Sequence, residues 1–287
     1  MHPVPIPDPS LTIRDLLACY AEWGVDSALA EEPVNRLSDP DIKPEPAPPV
    51  AAGQGADAAE PSRRAPVPAA APALLIPGAP PPEAAIAAAR DAARTAPTLD
   101  ALRGIVEAFD GCALKTTATR LVFGDGNPEA RIMFVGEAPG RDEDIEGVPF
   151  IGRSGKLLDN MIAAIGLDRT RAYIANVIPW RPPGNRTPSP HETQICLPFI
   201  RRQIELVDPD ILVCLGKPSS QAVLDLKDGI MRTRGRWYDY DTGRRTIRAM
   251  ATFHPAYLLR QPIYKRLVWQ DLRTIAKALQ QVTAARS

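Results

Sequence analysis

The chain contains only three histidines and four cysteines among 287 residues, and no two of the cysteines form a C-x-x-C pair. Cys19, Cys112, Cys196 and Cys214 are too scattered for a zinc finger or a disulfide framework, and reduced thiols are the default for such spacing. No run of about 18 apolar residues occurs, and the first residues lack the basic-then-apolar pattern of a secretory signal. These absences set the expectation of a cytoplasmic protein with no membrane partner. Net charge is absent too, but only in the sum. Residues 1–100 carry 7 Lys/Arg against 14 Asp/Glu, and the rest of the chain carries 27 against 20. An acidic front thus precedes a basic, arginine-rich body, a balance compatible with a polyanion partner.

Proline is plentiful but concentrated, with 13 of the 32 falling between Pro40 and Pro82. Pro and Ala with little else cannot bury enough apolar surface to offset the entropy of ordering, so residues 40–82 read as a disordered linker. Ahead of it, Leu11, Ile13, Leu16, Leu17, Tyr20 and Trp23 recur at near-helical spacing, giving a short helical segment within residues 1–39. Such a flexible N-terminal extension suits a tether to a replication or repair protein. The foldable domain is 83–287, expected to be a monomer.

Within that domain, two helices (EAAIAAARDAARTA after Pro82, and Leu99 to Phe109) precede a repeat of strand and helix. Apolar runs at Arg131–Val135, Ala172–Ile178, Ile211–Leu215 and Thr246–Phe253 predict four buried strands, with helical patterns between them at Lys156–Ile165 and Cys196–Leu206. A last helix is expected over Tyr264–Val282. This alternation predicts an α/β fold, a parallel sheet covered on both faces by helices. Ligands bind such sheets at the carboxyl ends of the strands, and the distinctive stretches follow those ends. Glu137, Asp142, Glu143, Asp144 and Glu146 crowd a loop after the first strand, and a helix is expected to start near Ser154.

The motifs are GEAPG (Gly136–Gly140) followed by Glu143-Asp144, PFIGRSGKLLD (Pro149–Asp159), Asn176 separated by four residues from RPPGNRTP (Arg181–Pro188) with E-x-x-x-C downstream, and HPAYLLR (His254–Arg260). In this order and spacing the chain resembles the uracil-DNA glycosylase superfamily, and most closely its family 4, over roughly Cys112 to Leu279. The resemblance implies a three-layer α/β/α sandwich on a four-stranded parallel sheet, and an enzyme that removes uracil from DNA to leave an abasic site. An enzyme acting on a base must flip it out, stack it, read its edge and wedge the gap. Phe150 is the candidate stacking ring. Asn176 offers a donor and an acceptor to the O4 and N3–H edge of uracil, a pair that cytosine reverses. His254 is the candidate donor to O2 as negative charge flows onto the departing base.

Glu143 is the first candidate to activate water or face the sugar cation, with Glu137 and Asp144 as alternates. Ala138, in the uracil pocket, stands where the best known family of the superfamily has its catalytic Asp. Leu258, Leu259 and Arg260 have the order of an intercalating wedge with a phosphate contact behind it, and Ser154, Arg181, Arg186 and Lys217 are candidate backbone contacts. Asn185 replaces the His that lets some superfamily members trap DNA covalently, which favours turnover. Family 4 also implies a [4Fe-4S] cluster on four cysteines. Only Cys112 and Cys196 match that set, Phe109 and Trp180 standing in the other two places, so the expectation is no cofactor and no metal. Two other readings stay open: a non-catalytic uracil or abasic-site DNA-binding protein of the same fold, and a nucleotide-binding enzyme with Mg²⁺ in the acidic loop.

Overall fold

The computed structural model describes residues 82–286. The helix expected near residues 10–30 and the linker reading, Pro82 apart, lie outside the described residues. The first described helix, α1 (Pro82–Thr95), is alanine-rich and starts on proline, both favourable for a helix, and Ala85, Ala89 and Ala93 form its buried edge at four-residue spacing. In α2 (Leu99–Ala108) the Thr98 hydroxyl accepts from the Ala101 N–H as an N-cap, and Leu102 and Val106 are buried. A single turn, α3 (Leu114–Thr117), follows.

The sheet contains β1 (Asp125–Gly126), β2 (Ile132–Gly136), β3 (Tyr173–Asn176), β4 (Ile211–Leu215), β5 (Trp237–Asp241) and β6 (Thr246–Thr252), in the order β1-β3-β2-β4-β6-β5. The four inner strands are parallel, matching the four apolar runs. The sheet has six strands rather than four, because short antiparallel strands edge it on both sides. Two residues of β1 carry no periodicity. From Tyr238 to Asp241 β5 alternates aromatic with acidic residues, the pattern of a strand with one solvated face, and it turns into β6 at Gly243, whose φ is 86°. The Arg248 guanidinium lies 3.9 Å from the Trp237 ring centroid and covers that edge.

The helices complete three layers: α4 (Arg141–Glu146), α5 (Arg153–Ala163), α6 (Pro190–Val207), α7 (Lys217–Leu224), α8 (Ile230–Thr233), α9 (Pro255–Arg260) and α10 (Lys265–Arg286). Every residue of β2 is buried, as expected of a strand covered on both faces. Met133 and Val135 join a core with α1, α2 and α6, whereas Ile132 and Phe134 join a second core with Leu158 and Ile162 of α5 and Leu272 and Ile275 of α10. From β2 the chain first moves outward to β3 and then crosses back to β4 on the other side. That reversal opens a crevice at the carboxyl ends of the strands. None of the described helices is long and apolar enough to cross a membrane.

Two stretches outside the expected helices are helical. The acidic stretch forms α4, started by Gly140 and ended by Gly147 in the left-handed conformation, φ 76°. HPAYLLR forms α9, capped by His254. Six residues are too few to reveal a helical period.

Candidate active site

A cleft of about 680 Å³ lies where β2, β3, β4 and β6 end. Asn176, the last residue of β3, is 4% exposed and lines it. Its Oδ1 is buried with no hydrogen-bond partner among the described residues, an uncompensated acceptor at the wall of a cavity. Phe150 lines the same cleft with its ring beside His254, centroids 5.5 Å apart. Gly136, at the end of β2, lets the two approach. A Cβ there would stand 2.4 Å from Asn176 Oδ1 and 2.5 Å from Phe150 Cζ.

His254 leaves β6 and caps α9, its Nδ1 accepting from the Ala256 N–H at 3.1 Å. A neutral imidazole has one donor and one acceptor nitrogen, so acceptance at Nδ1 places the hydrogen on Nε2. Burial, with the Arg260 charge second, lowers the His254 pKa to about 4, which keeps this neutral tautomer at physiological pH. Phe253, Tyr257 and Tyr264 stack in a triangle with centroids 5.2–5.6 Å apart and fix the turn that carries the imidazole. Gly216, φ 88°, is the close approach beneath it, since a Cβ there would meet His254 Cβ at 2.9 Å.

The three candidate carboxylates separate sharply. Glu143 is buried at the cleft wall with both oxygens engaged: Oε2 accepts from Gly140 N–H at 3.1 Å, and Oε1 from Ile151 and Gly152 N–H at 3.1 and 3.0 Å. It ties α4 to the Phe150 turn rather than standing free before a water. Asp144 is directed away from the cleft and accepts from Thr119 N–H (2.7 Å), Thr119 Oγ1 (2.9 Å) and Arg120 N–H (3.3 Å). It is corrected to a fastening residue, because its position on α4 points it back to the loop after α3. Glu137 lines the cleft, its carbonyl accepting from Ile178 N–H at 3.0 Å while its carboxylate has no hydrogen-bond or ion-pair partner among the described residues, and burial raises its pKa. Ala138 beside it also lines the cleft, and its side chain brings no polar atom.

The rim divides in the same way. Leu258 is 1% exposed and belongs to the second core, so its reading as a wedge is corrected. Of the two leucines on α9, Leu259, 38% exposed, is the one that faces outward. Arg260 lines the cleft, with its guanidinium 6.0 Å from the Tyr257 ring centroid. Ser154 sits on the first turn of α5 at the cleft, and Lys217 stands exposed at the start of α7. Arg186 reaches the cleft but is held bidentate by Glu192, at 2.6 and 2.9 Å. Arg181 turns inward to Asn185 Oδ1 (2.7 Å) and Asp144 (3.8 Å). Lys217→Ala is therefore expected to weaken DNA binding several-fold and to lower the salt slope by about one, whereas Arg181→Ala leaves the slope unchanged. Titrations at three or more salt concentrations check both. Tyr257, inside the HPAYLLR motif but given no role from it, and Ile230, outside every motif, also line the cleft.

Residues 123–273 match the model of the Uracil DNA glycosylase superfamily, and these residues hold the whole cleft. The chain belongs to the uracil-DNA glycosylase superfamily. It is similar to the type-4 uracil-DNA glycosylase of Archaeoglobus fulgidus, 42% identical over 170 residues, which cover 58% of this chain and 85% of that one. The corresponding Thermotoga maritima protein is 41% identical over 170 residues (58% and 87%), and the Saccharolobus solfataricus protein 38% over 186 (63% and 86%).

The cluster implied by type 4 does not fit the residues present. Cys112 and Cys196 are buried with Sγ atoms 3.9 Å apart, but they pack in the core with Trp180 and Phe199. Phe109 meets Phe199 edge to face at 5.1 Å. Phe109 and Trp180, at the other two places that the resemblance implies, bring no ligand atom, and two thiols do not complete a four-cysteine set. Among the described residues no three His, Cys, Asp or Glu side chains converge as a metal site.

Proposed function

We propose that this uracil-DNA glycosylase superfamily member is a monofunctional glycosylase that hydrolyses the N-glycosidic bond of deoxyuridine in DNA, and that it works without an iron-sulfur cluster. The carrying observation is the orphaned Asn176 Oδ1, buried in a cleft whose other walls are an aromatic ring and a neutral imidazole donor. Uracil presents N3–H to that acceptor, while the Asn176 amide N–H₂ donates to O4. Stacking on Phe150 offsets the cost of taking the base out of the duplex. As the C1′–N1 bond breaks, its electron pair passes to the base, and His254 Nε2–H donates to the oxygen where charge gathers. Water then adds to C1′ and gives up a proton.

Glu137 is the carboxylate we assign to that last step. It acts as base only when ionised, and burial raises its pKa, so the acid limb of the rate against pH lies above the ordinary carboxylate range. Glu137→Gln is expected to lower the rate by about 10²-fold and to remove that limb, since the proton acceptor is gone at every pH. A single-turnover pH series on both proteins checks it; a limb that persists in the variant belongs to another group.

The function itself is tested by single-turnover cleavage of a labelled oligonucleotide holding one uracil, in EDTA and followed by alkali. A uracil-dependent break is the expected result. A retarded band with no break sinks the enzyme and selects the DNA-binding reading. Iron assayed on the same preparation should be sub-stoichiometric, without visible cluster absorbance. Stoichiometric iron overturns the cluster-free reading alone.

A further inference from the structure

Phe150 has φ 55°, a left-handed conformation that is an outlier for a bulky residue. Strain of this kind persists only where the surroundings over-determine it, and its occurrence at a cleft points to a role there. The surroundings are specific. Gly155 leaves room for the turn, since a Cβ there would meet the Phe150 carbonyl oxygen at 1.8 Å. Glu143 holds the N–H groups of the next two residues, Ile151 and Gly152. From the opposite side comes Arg169, in the loop between α5 and β3. Its Nη1 donates to Pro149 O at 3.0 Å and its Nη2 to Phe150 O. The same guanidinium is anchored by Asp159 of α5, Nε to Oδ1 at 2.8 Å, and by Asp125 of β1, Nη1 to Oδ2 at 2.7 Å. The planar fork is thus divided between two carboxylates that fix it and two carbonyls that it fixes.

We propose that Arg169, which does not line the cleft, is a positioning residue that sets the stacking ring: with Glu143 it clamps the Phe150 turn and presents the ring ready to receive the base. This rests on the glycosylase reading for its kinetic test but not for its structural one. The base then pays no ordering cost for its platform, and misplacement of a reacting group by about 1 Å can cost 10²-fold in rate. Arg169 also links α5 to β1, so loss of stability is the rival account, and the variants are chosen to separate the two.

Arg169→Lys keeps a cation between Asp125 and Asp159 but lacks a fork to span both carbonyls. Its single-turnover rate on uracil DNA is expected to fall about 10-fold or more, with the thermal midpoint within a few degrees of wild type. In a Phe150→Ala background the same change should cost less than about twofold, because no ring remains to be placed. Asp159→Asn, which loosens the guanidinium from its more exposed anchor, should show the same non-additivity at smaller size and serves if the lysine variant fails to fold. An undiminished Arg169→Lys rate, or an equal loss with and without Phe150, overturns the proposal. The crystal structure of the DNA-free Arg169→Lys protein reads the clamp without activity. Phe150 leaving the positive-φ region supports it, and an unchanged turn overturns it. A wild type that cleaves no uracil DNA removes the functional reading and leaves that structural outcome to decide the clamp.

Discussion

Replacing His254 with alanine is expected to lower the single-turnover rate of uracil release by about 10²–10³-fold, the range for removing one preorganised donor from a developing anion. The donor is already in place before the base arrives. Nδ1 is committed to the Ala256 N–H, so Nε2 carries the hydrogen, and the ring stacks in against Phe150. A pKa of about 4 means that the neutral donor persists far below the usual histidine range. The wild-type rate should therefore show no break near pH 6.5, and a break there that disappears in His254→Ala would refute the neutral-donor assignment. The same shift has a stability consequence of definite sign. Between about pH 6.5 and pH 4 the unfolded chain binds a proton that the folded site refuses, so this histidine lowers stability as pH falls through that window. His254→Asn separates its two duties. Asparagine is a good N-cap and can hold the start of α9, but it is too short to serve the cleft as Nε2 does. Melting near wild type with a rate as low as that of His254→Ala is the expected outcome; a rate near wild type would mean that the cap, not the donor, is what matters.

Much of the framework was legible because buried parallel strands are continuous apolar runs, and four of them were visible as such. Phe150, Asn176 and His254 were legible because they stand in the motifs that carry the family resemblance, and the parallel sheet brings those motifs together where its strands end. What escaped depends on geometry with no sequence period. The fate of Glu143 is decided by N–H groups eight and nine residues away, and that of Asp144 by a loop 25 residues earlier. Leu258 and Leu259 are adjacent, and only the phase of a six-residue helix says which is core and which is rim. Arg169 acts on carbonyls 19 and 20 residues away, and an arginine in a polar turn looks like any solvated arginine. The packing of Phe109 against Phe199 was not legible either, since a phenylalanine carries no sign of which ring it will meet ninety residues later.

Asn176→Leu is expected to cost about 10³-fold in the single-turnover rate while leaving the melting temperature unchanged or slightly raised. The two effects have opposite signs because the DNA-free protein carries the expense of the recognition. A buried acceptor with no partner costs about 1–3 kcal/mol, and Oδ1 of Asn176 has none among the described residues. Leucine is close in shape, so it removes the orphan without opening a large cavity in a residue that is 4% exposed. In the complex the balance reverses. Uracil N3–H fills the acceptor and the amide donates to O4, and the second bond strengthens as the base takes on negative charge in the transition state. Bonds of this kind contribute about 1.5–3 kcal/mol each, and two of them account for the expected loss. Cytosine meets the same amide with both polarities inverted, donor against donor and acceptor against acceptor, which is why a single side chain excludes the normal base. Rates on matched uracil and cytosine oligonucleotides, with melting curves of both proteins, decide the matter. A variant that still prefers uracil at near wild-type rate would remove Asn176 as the reader, and a melting temperature lower by many degrees would show that the amide is a structural member rather than a strained one.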